Sequence, residues 1–470
     1  MSKIKLSGKV LRNLGYPEGP VISVAISVIE EHYPDFSQEE AEDLLKQILA
    51  DPTKYAEDEV LLKIAAPLIP VENKTIPLNE KAVDYSVYGA SFIEEGALKQ
   101  MKMAVRLPVA VAGALMPDAH QGYGLPIGGV LAADNAVIPY AVGVDIGCRM
   151  CLSILDLPVD TLATKESNYK RELISFTKFG AGAEWKNNDA DPVLERKEFN
   201  EIPFLRSLTG KAAGQLGTSG SGNHFVEWGV VEILDAQNEW QLAPGKYVAL
   251  LSHSGSRGLG AQIAGHYTRV AKDVCPLPKE AQHLAYLDMN TEAGQEYWLA
   301  MNLAGDYASA CHHLIHKRLI KAMGATMLAR IENHHNFAWK EEHQGKELIV
   351  HRKGATPAGK GVLGIIPGSM TAPGFIVRGK GQEESLSSAS HGAGRQMSRT
   401  KAIQSITAEE LRKMLRDNGV TLIGGGLDEA PAAYKDIHEV MAAQADLVEV
   451  VGQFQPKLVR MADGDGPRED

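Results

Sequence analysis

Apolar residues recur at helical spacing in two early segments, Val21–Glu31 and Glu39–Ala50, and the spacing predicts an amphipathic helix over each. Pro34 and the Asp51-Pro52 pair break the pattern between and after them. From about residue 85 the texture changes. Short β-like runs such as Val248–Leu251 and Leu348–His351 alternate with glycine-rich turns, while Asp288–Ala325 predicts one or two long helices. Thr407-Ala-Glu-Glu410 reads as a capping box opening a helix that runs through Arg416. No fixed period repeats, and no apolar run reaches the roughly 18 residues of a membrane span. The pattern predicts a helical N-terminal extension over 1–70, one large intertwined α+β domain over 71–464, and an acidic tail over 465–470.

Composition narrows the class. With 470 residues, 44% of them apolar, the chain can bury a sizeable core, and its 46 glycines imply many tight turns and close backbone approaches. A net charge of −11 argues against broad electrostatic affinity for nucleic acid but leaves room for a local basic groove. Acids crowd Glu31–Glu59, whereas Arg378–Arg416 is rich in Lys and Arg. Four cysteines (Cys148, Cys151, Cys275 and Cys311) are too few for a disulfide scaffold. The first residues lack the apolar stretch of a secretory signal, so a soluble cytoplasmic protein without a membrane partner is expected.

Several motifs carry chemistry. In Val142-Gly-Val-Asp145-Ile-Gly-Cys148-Arg-Met-Cys151 a hard carboxylate and a soft thiol lie three apart between glycines, a pairing that can hold a divalent metal. A Cys148–Cys151 redox pair and two buried structural thiols are the alternatives. The glycine-rich run ending in Asn223-His224-Phe225-Val226-Glu227 can turn backbone N–H groups toward phosphate and adds a metal-competent imidazole. His253 and Arg257 sit among small residues suited to a phosphate or metal site, and His335 stands among polar neighbours. Ser390-His391-Gly-Ala-Gly394-Arg395-Gln-Met-Ser398-Arg399 combines a histidine with space for a bulky ligand and two guanidinium groups able to fork onto phosphate, a composition suited to a nucleophilic imidazole. His312 and His316 have i, i+4 metal spacing, but no glutamate occupies the zincin position, and a helix face against core or substrate is expected there.

Taken in order, these motifs resemble the RtcB family of RNA ligases over about residues 85–464. The resemblance rests on Met116-Pro-Asp118-Ala-His120-Gln-Gly122, Val142 to Cys148, Gly222-Asn-His-Phe225, His253-Ser-Gly-Ser-Arg257, His335-Asn336, Ile366-Pro-Gly-Ser-Met370, Ser390 to Arg399 and Ala433-Tyr-Lys-Asp436. It implies two Mn²⁺ ions, one held by Asp145, Cys148 and His224, the other by Cys148, His253 and His335, with the Cys148 thiolate bridging. It implies a GTP pocket built from Asn223, His224, Phe225, Val226, Glu227, His335, Asn336, Pro367, Gly368, Ser369, Met370, His391, Gly392, Ala393, Gly394 and Arg395. His391 would be the nucleophile that takes GMP, and Asp118 would fix its tautomer. The implied substrates are an RNA ending in a 3′-phosphate or 2′,3′-cyclic phosphate and an RNA with a 5′-hydroxyl, and the resemblance admits an archease-like activator.

The chain departs from the family pattern in three places. Arg149 stands where a glycine generally follows the metal cysteine, and from that loop it is expected to reach phosphate. Gly374 replaces a serine that usually helps bind GTP, and Asp463 with the acidic tail stands where a terminal Lys-Gly is common. Two other readings use the same residues: a manganese phosphodiesterase or phosphatase that lost ligation, and a non-catalytic RNA-binding or metal-sensing protein.

Overall fold

The structure, a computed structural model, describes residues 5–69, 75–186 and 190–464; the acidic tail over 465–470 lies outside the described residues. The chain divides into two compact units, Met1–Lys74 and Thr75–Asp470. In the first, the two predicted helices are Pro20–His32 and Gln38–Ala50, preceded by a short helix Gly8–Leu14. Ser37 and Glu40 cap the third helix reciprocally. Ala25, Val28 and Ile29 on one helix and Ala41, Leu45 and Ile48 on the next repeat at helical spacing, and all are buried in one cluster with Leu11 and Ile64.

The second unit is α+β. A five-stranded sheet runs in the order Tyr85–Val87, Ala110–His120, Ile127–Ala133, Lys346–Lys353, Asn336–His343. A second sheet runs Leu363–Ile366, Gly374–Gly379, Val448–Asp463, Phe225–Ile233, Gly245–Ser254, Arg149–Leu155, Met327–His334, with Thr421–Gly425 lying parallel beside Val448–Asp463. The run Asp288–Ala325 folds as one helix, Glu292–Met323, capped by the Thr291 side chain and closed by Gly324 in the left-handed conformation. It buries Ala300, Ala304, Gly305 and Ala308. Small residues are required here because the helix backbone meets the loop before Arg149 directly: a Cβ on Gly147, whose φ is +70°, would lie 2.8 Å from the Cα of Gly305. Among the described residues no helix is long and apolar enough to cross a membrane.

The second sheet is what assembles the site. Four of its strands are consecutive neighbours, and their pairing registers set Phe225 opposite His253, and Arg149 opposite both Ser254 and His334. Cys148, His224, His253 and His335 therefore reach the same end of four adjacent strands, although they come from distant parts of the chain.

Candidate active site

At that end of the sheet the side chains close on one another. Cys148 Sγ lies 3.4 Å from His224 Nε2 and 3.2 Å from His253 Nε2. His253 Nε2 is 3.2 Å from His335 Nε2, and His224 Nε2 is 2.9 Å from Asp145 Oδ2. All but Asp145, which is partly exposed, are buried. His253 Nδ1 donates to the Asn223 carbonyl at 3.0 Å, which leaves its Nε2 as a lone pair facing the thiol and His335. Burial pushes His253 down to about 3 and His335 well below the ordinary imidazole value, so both are neutral. Burial works against charge on Asp145 too, but the His224 and Cys148 contacts outweigh it and hold the carboxyl below its ordinary value. The backbone N–H of Ser256 donates to Asp145 Oδ1 at 3.1 Å. A carboxylate, a thiol and three imidazoles with ring nitrogens this close fit a divalent metal better than they fit each other.

His391 stands beside this cluster, its ring centre 5.0 Å from that of His335. It follows the short strand Ser388–Ser390, paired with Ala355–Pro357, and Ala355 N–H donates to the carbonyl of His335. Asp118, fully buried on Ala110–His120, accepts from His391 Nδ1 at 2.7 Å and from the backbone N–H groups of His391 and Gly392 with the same oxygen. Burial opposes the Asp118 charge, but His391 and the nearby ammonium of Lys435 outweigh it and keep the carboxyl low. Lys435 donates to the carbonyls of Pro117 and Ala119 on either side. Gly394 has φ +73°, and a Cβ on it would lie 2.1 Å from the Asp118 carbonyl, so only glycine lets this loop close over Asp118.

One cavity of about 690 Å³ opens onto both His391 and the cysteine–histidine cluster. Its walls include Asp145, Cys148, Asn223, His224, Phe225, Glu227, His253, His335, Asn336, Pro367 to Met370 and His391 to Arg395. Two of the expected residues stand elsewhere. Asp118 is behind His391, where it acts through the imidazole. Val226 is the exception among the expected nucleotide contacts: alternation along Phe225–Ile233 turns its side chain into the core with Trp228 and Leu250. Glu227 carries a carboxyl that burial holds well above its ordinary value. Arg395 donates to the carbonyls of Met397 and Asp428, and Arg399 pairs with Asp428 and Glu429, so the two guanidinium groups are braced at the cavity wall.

Other expectations are redirected. Arg149 does not reach the site: on its strand it points to the opposite side from Cys148. There it donates to Glu332 at 3.0 Å and to the Gly305 carbonyl at 3.2 Å. Arg257 is buried and donates to Thr218 Oγ1 and the Gly180 carbonyl. Cys151 lies 3.9 Å from His316 Nδ1, on the helix side of the sheet, so Cys148 and Cys151 are not a pair. His312 and His316 face the core. His312 bonds Ser252 Oγ and the Ser254 carbonyl, while His316 bonds Ser252 Oγ and Ser153 Oγ, so three ring nitrogens clamp the strand that carries His253 and the fourth holds the neighbouring strand Arg149–Leu155. Tyr434 and Lys435 belong to the Ala433-Tyr-Lys-Asp436 motif but had no role assigned from the sequence, and the cavity-lining Tyr123, Tyr140, Lys353 and Glu429 carry no local motif that marks them; only the fold brings them here.

A family model described as tRNA-splicing ligase RtcB matches residues 100–462. The chain belongs to the RtcB family. Curated relatives agree. The RNA-splicing ligase RtcB of Escherichia coli K12 is 34% identical over 417 residues, covering 82% of this chain and 96% of its own. The tRNA-splicing ligase RtcB of Nanoarchaeum equitans is 34% identical over 465 residues, covering 83% and 96%. That of Thermococcus kodakarensis is 30% identical over 436 residues, covering 77% and 90%. The RtcB match begins within the second unit and leaves the helical unit Met1–Lys74 outside it.

Proposed function

We propose that this RtcB protein is a GTP- and Mn²⁺-dependent RNA ligase acting in RNA splicing or repair. It joins an RNA 3′-phosphate, or a 2′,3′-cyclic phosphate first opened to the 3′-phosphate, to an RNA 5′-hydroxyl through a GMP–histidine intermediate on His391. The observation that carries the reading is the juxtaposition of an Asp118-bound imidazole with the cysteine–histidine cluster in one cavity. Metal-assisted hydrolysis needs no covalent nucleotide intermediate, whereas ligation through one needs an oriented nucleophile such as this imidazole.

The donors group by distance into Asp145, His224 and Cys148 on one side and Cys148, His253 and His335 on the other, which supports two ions sharing the thiolate. Bound there, paired cations neutralise phosphate charge and orient attack. Asp118 keeps the proton on His391 Nδ1 and leaves the Nε2 lone pair for the α-phosphorus of GTP. The P–N bond forms as the α–β bond breaks and pyrophosphate leaves. The GMP then passes to the RNA 3′-phosphate, and the 5′-hydroxyl of the second RNA attacks that end and expels GMP. Asn223, Phe225, Glu227, Asn336, Pro367 to Met370 and Gly392 to Arg395 are the wall available to the nucleotide.

Two RNA pieces with these ends, incubated with the protein, should be joined only when Mn²⁺ and GTP are both present. Opening of the cyclic phosphate without joining would favour the phosphodiesterase reading. Asp118→Ala should slow GMP labelling of His391 by about 10- to 100-fold without abolishing it, as loss of an outer carboxylate does for other oriented histidines. Rates in single-turnover labelling check this, and an unchanged rate would remove Asp118 from the mechanism.

Arg149→Met tests the redirected arginine. Removing one partner of a mostly buried ion pair should cost about 2 kcal/mol, less than a fully isolated charge because Glu332 keeps His313. Burial alone would raise the Glu332 carboxyl, but His313 and Arg149 outweigh it and hold it at about 2, below its ordinary 4.5. The stability it contributes is therefore present above that ordinary value and lost as pH falls toward 2, so the gap between wild type and variant should shrink over that window. Thermal melts at several pH values measure it. RNA affinity at low salt should not change; a clear fall would return Arg149 to a phosphate contact.

A further inference from the structure

The loop after Ala110–His120 is held with unusual care for a surface turn. Gln121 N–H donates to Glu94 Oε1 at 2.6 Å, Gly122 N–H donates to Gln100 Oε1 at 3.0 Å, and Gln100 Nε2 donates back to the Gly122 carbonyl. Lys353 Nζ donates to the Tyr123 carbonyl. Gly124, at φ +70°, packs so closely on His283 that a Cβ would lie 3.0 Å from its carbonyl oxygen. All this fixes the backbone around a tyrosine that is 67% exposed. The Tyr123 ring meets Tyr140 edge-on at 6.5 Å and His283 at 6.0 Å, Tyr140 and His283 are 5.1 Å apart, and Lys353 Nζ lies 4.9 Å from the Tyr140 ring centre. Tyr123 and Tyr140 line the same cavity as His391 and the metal-ligand cluster.

We propose that Tyr123, supported by Tyr140 and His283, is a stacking platform for the base of a terminal RNA nucleotide entering the cavity. The inference rests on the RNA-ligase reading. The wall assigned to GTP is drawn from other loops, leaving this aromatic face for the other substrate. Stacking suits a protein of net charge −11, which gains little from general attraction to phosphate, and it tolerates any base. A pinned loop has already lost the freedom that binding would otherwise remove.

The test measures binding of a short oligoribonucleotide with a 5′-hydroxyl and a 3′-phosphate to the full-length protein in Mn²⁺ without GTP. A second version lacks the base at each terminal nucleotide. Tyr123→Ala should weaken binding of the intact RNA about 5-fold or more, and Tyr123→Phe less than about 2-fold. Wild type should bind the abasic RNA more weakly by a similar factor, and combining the abasic RNA with Tyr123→Ala should add no further loss. Equal affinity of Tyr123→Ala and wild type for the intact RNA overturns the platform, as does an equal loss on intact and abasic RNA. A raised GTP requirement for His391 labelling with unchanged RNA affinity also overturns it, by assigning the ring to guanine. Failure of wild type to bind RNA overturns both the platform and the ligase reading, whereas normal RNA binding and normal labelling in Tyr123→Ala removes the platform alone.

Discussion

Alanine in place of His391 should leave the protein metal-loaded yet unable to join RNA. His391 is not among the clustered donors; its ring is 5.0 Å from His335, and its Nδ1 is committed to Asp118. Removing it would delete the atom on which the proposed GMP–histidine bond forms, and the neighbouring imidazoles are committed to other partners. His253 has Nδ1 bonded to Asn223 and Nε2 turned to the thiol, and His335 Nε2 faces His253. Joining should fall on the order of 10⁴-fold or more, the scale seen when a nucleophile is removed from a cooperating set. Because the change also leaves the buried Asp118 without its main partner, His391→Asn serves as a companion that retains a donor. Both variants should keep their metal and lack joining. Joined product within about tenfold of wild type in both would place the nucleophile elsewhere.

Cys148→Ala should have the other large effect, the loss of both metal ions. Its sulfur lies between His224 and His253 at 3.4 and 3.2 Å, so it is the one donor adjacent to both groups. A thiolate shared by two cations holds each by charge as well as by coordination. Without it one side keeps Asp145 and His224 and the other His253 and His335, each a pair too few to hold Mn²⁺ tightly. Affinity should drop at least about 100-fold for both ions, whereas His253→Ala should weaken mainly one. Metal content after equilibration and desalting decides it. Two ions retained by Cys148→Ala would refute the shared thiolate.

The sequence made much of this site readable because its chemistry is packed into short glycine-rich runs. Asp145 and Cys148 and His391 to Arg395 each set a reactive side chain among small residues, while Asn223 to Glu227 is weak alone and gains its meaning from the order of all the motifs. The helices of the first unit were legible for a different reason: Val21, Ala25, Val28 and Ile29, then Ala41, Leu45 and Ile48, keep one face apolar. Side-chain direction was less legible. Arg149 follows a metal-type cysteine, yet strand geometry sends it to Glu332 and the Gly305 carbonyl. Val226 sits within the glycine-loop motif and faces the core for the same reason. Contacts across the chain were legible only where the family resemblance implied them, as between Asp118 and His391. Lys435 beside Asp118, and Gln100 holding the Tyr123 loop, depend on pairings that no local pattern encodes.

The most direct measurement is covalent labelling of the wild-type protein by GTP carrying its label on the α-phosphate, in Mn²⁺, followed by denaturing separation. The account predicts a protein-bound label that forms only with metal, is lost in mild acid, survives alkali as a P–N bond to imidazole does, and maps to His391. Absence of label from any nucleoside triphosphate with Mn²⁺ present, or a label that persists in His391→Ala, would contradict it.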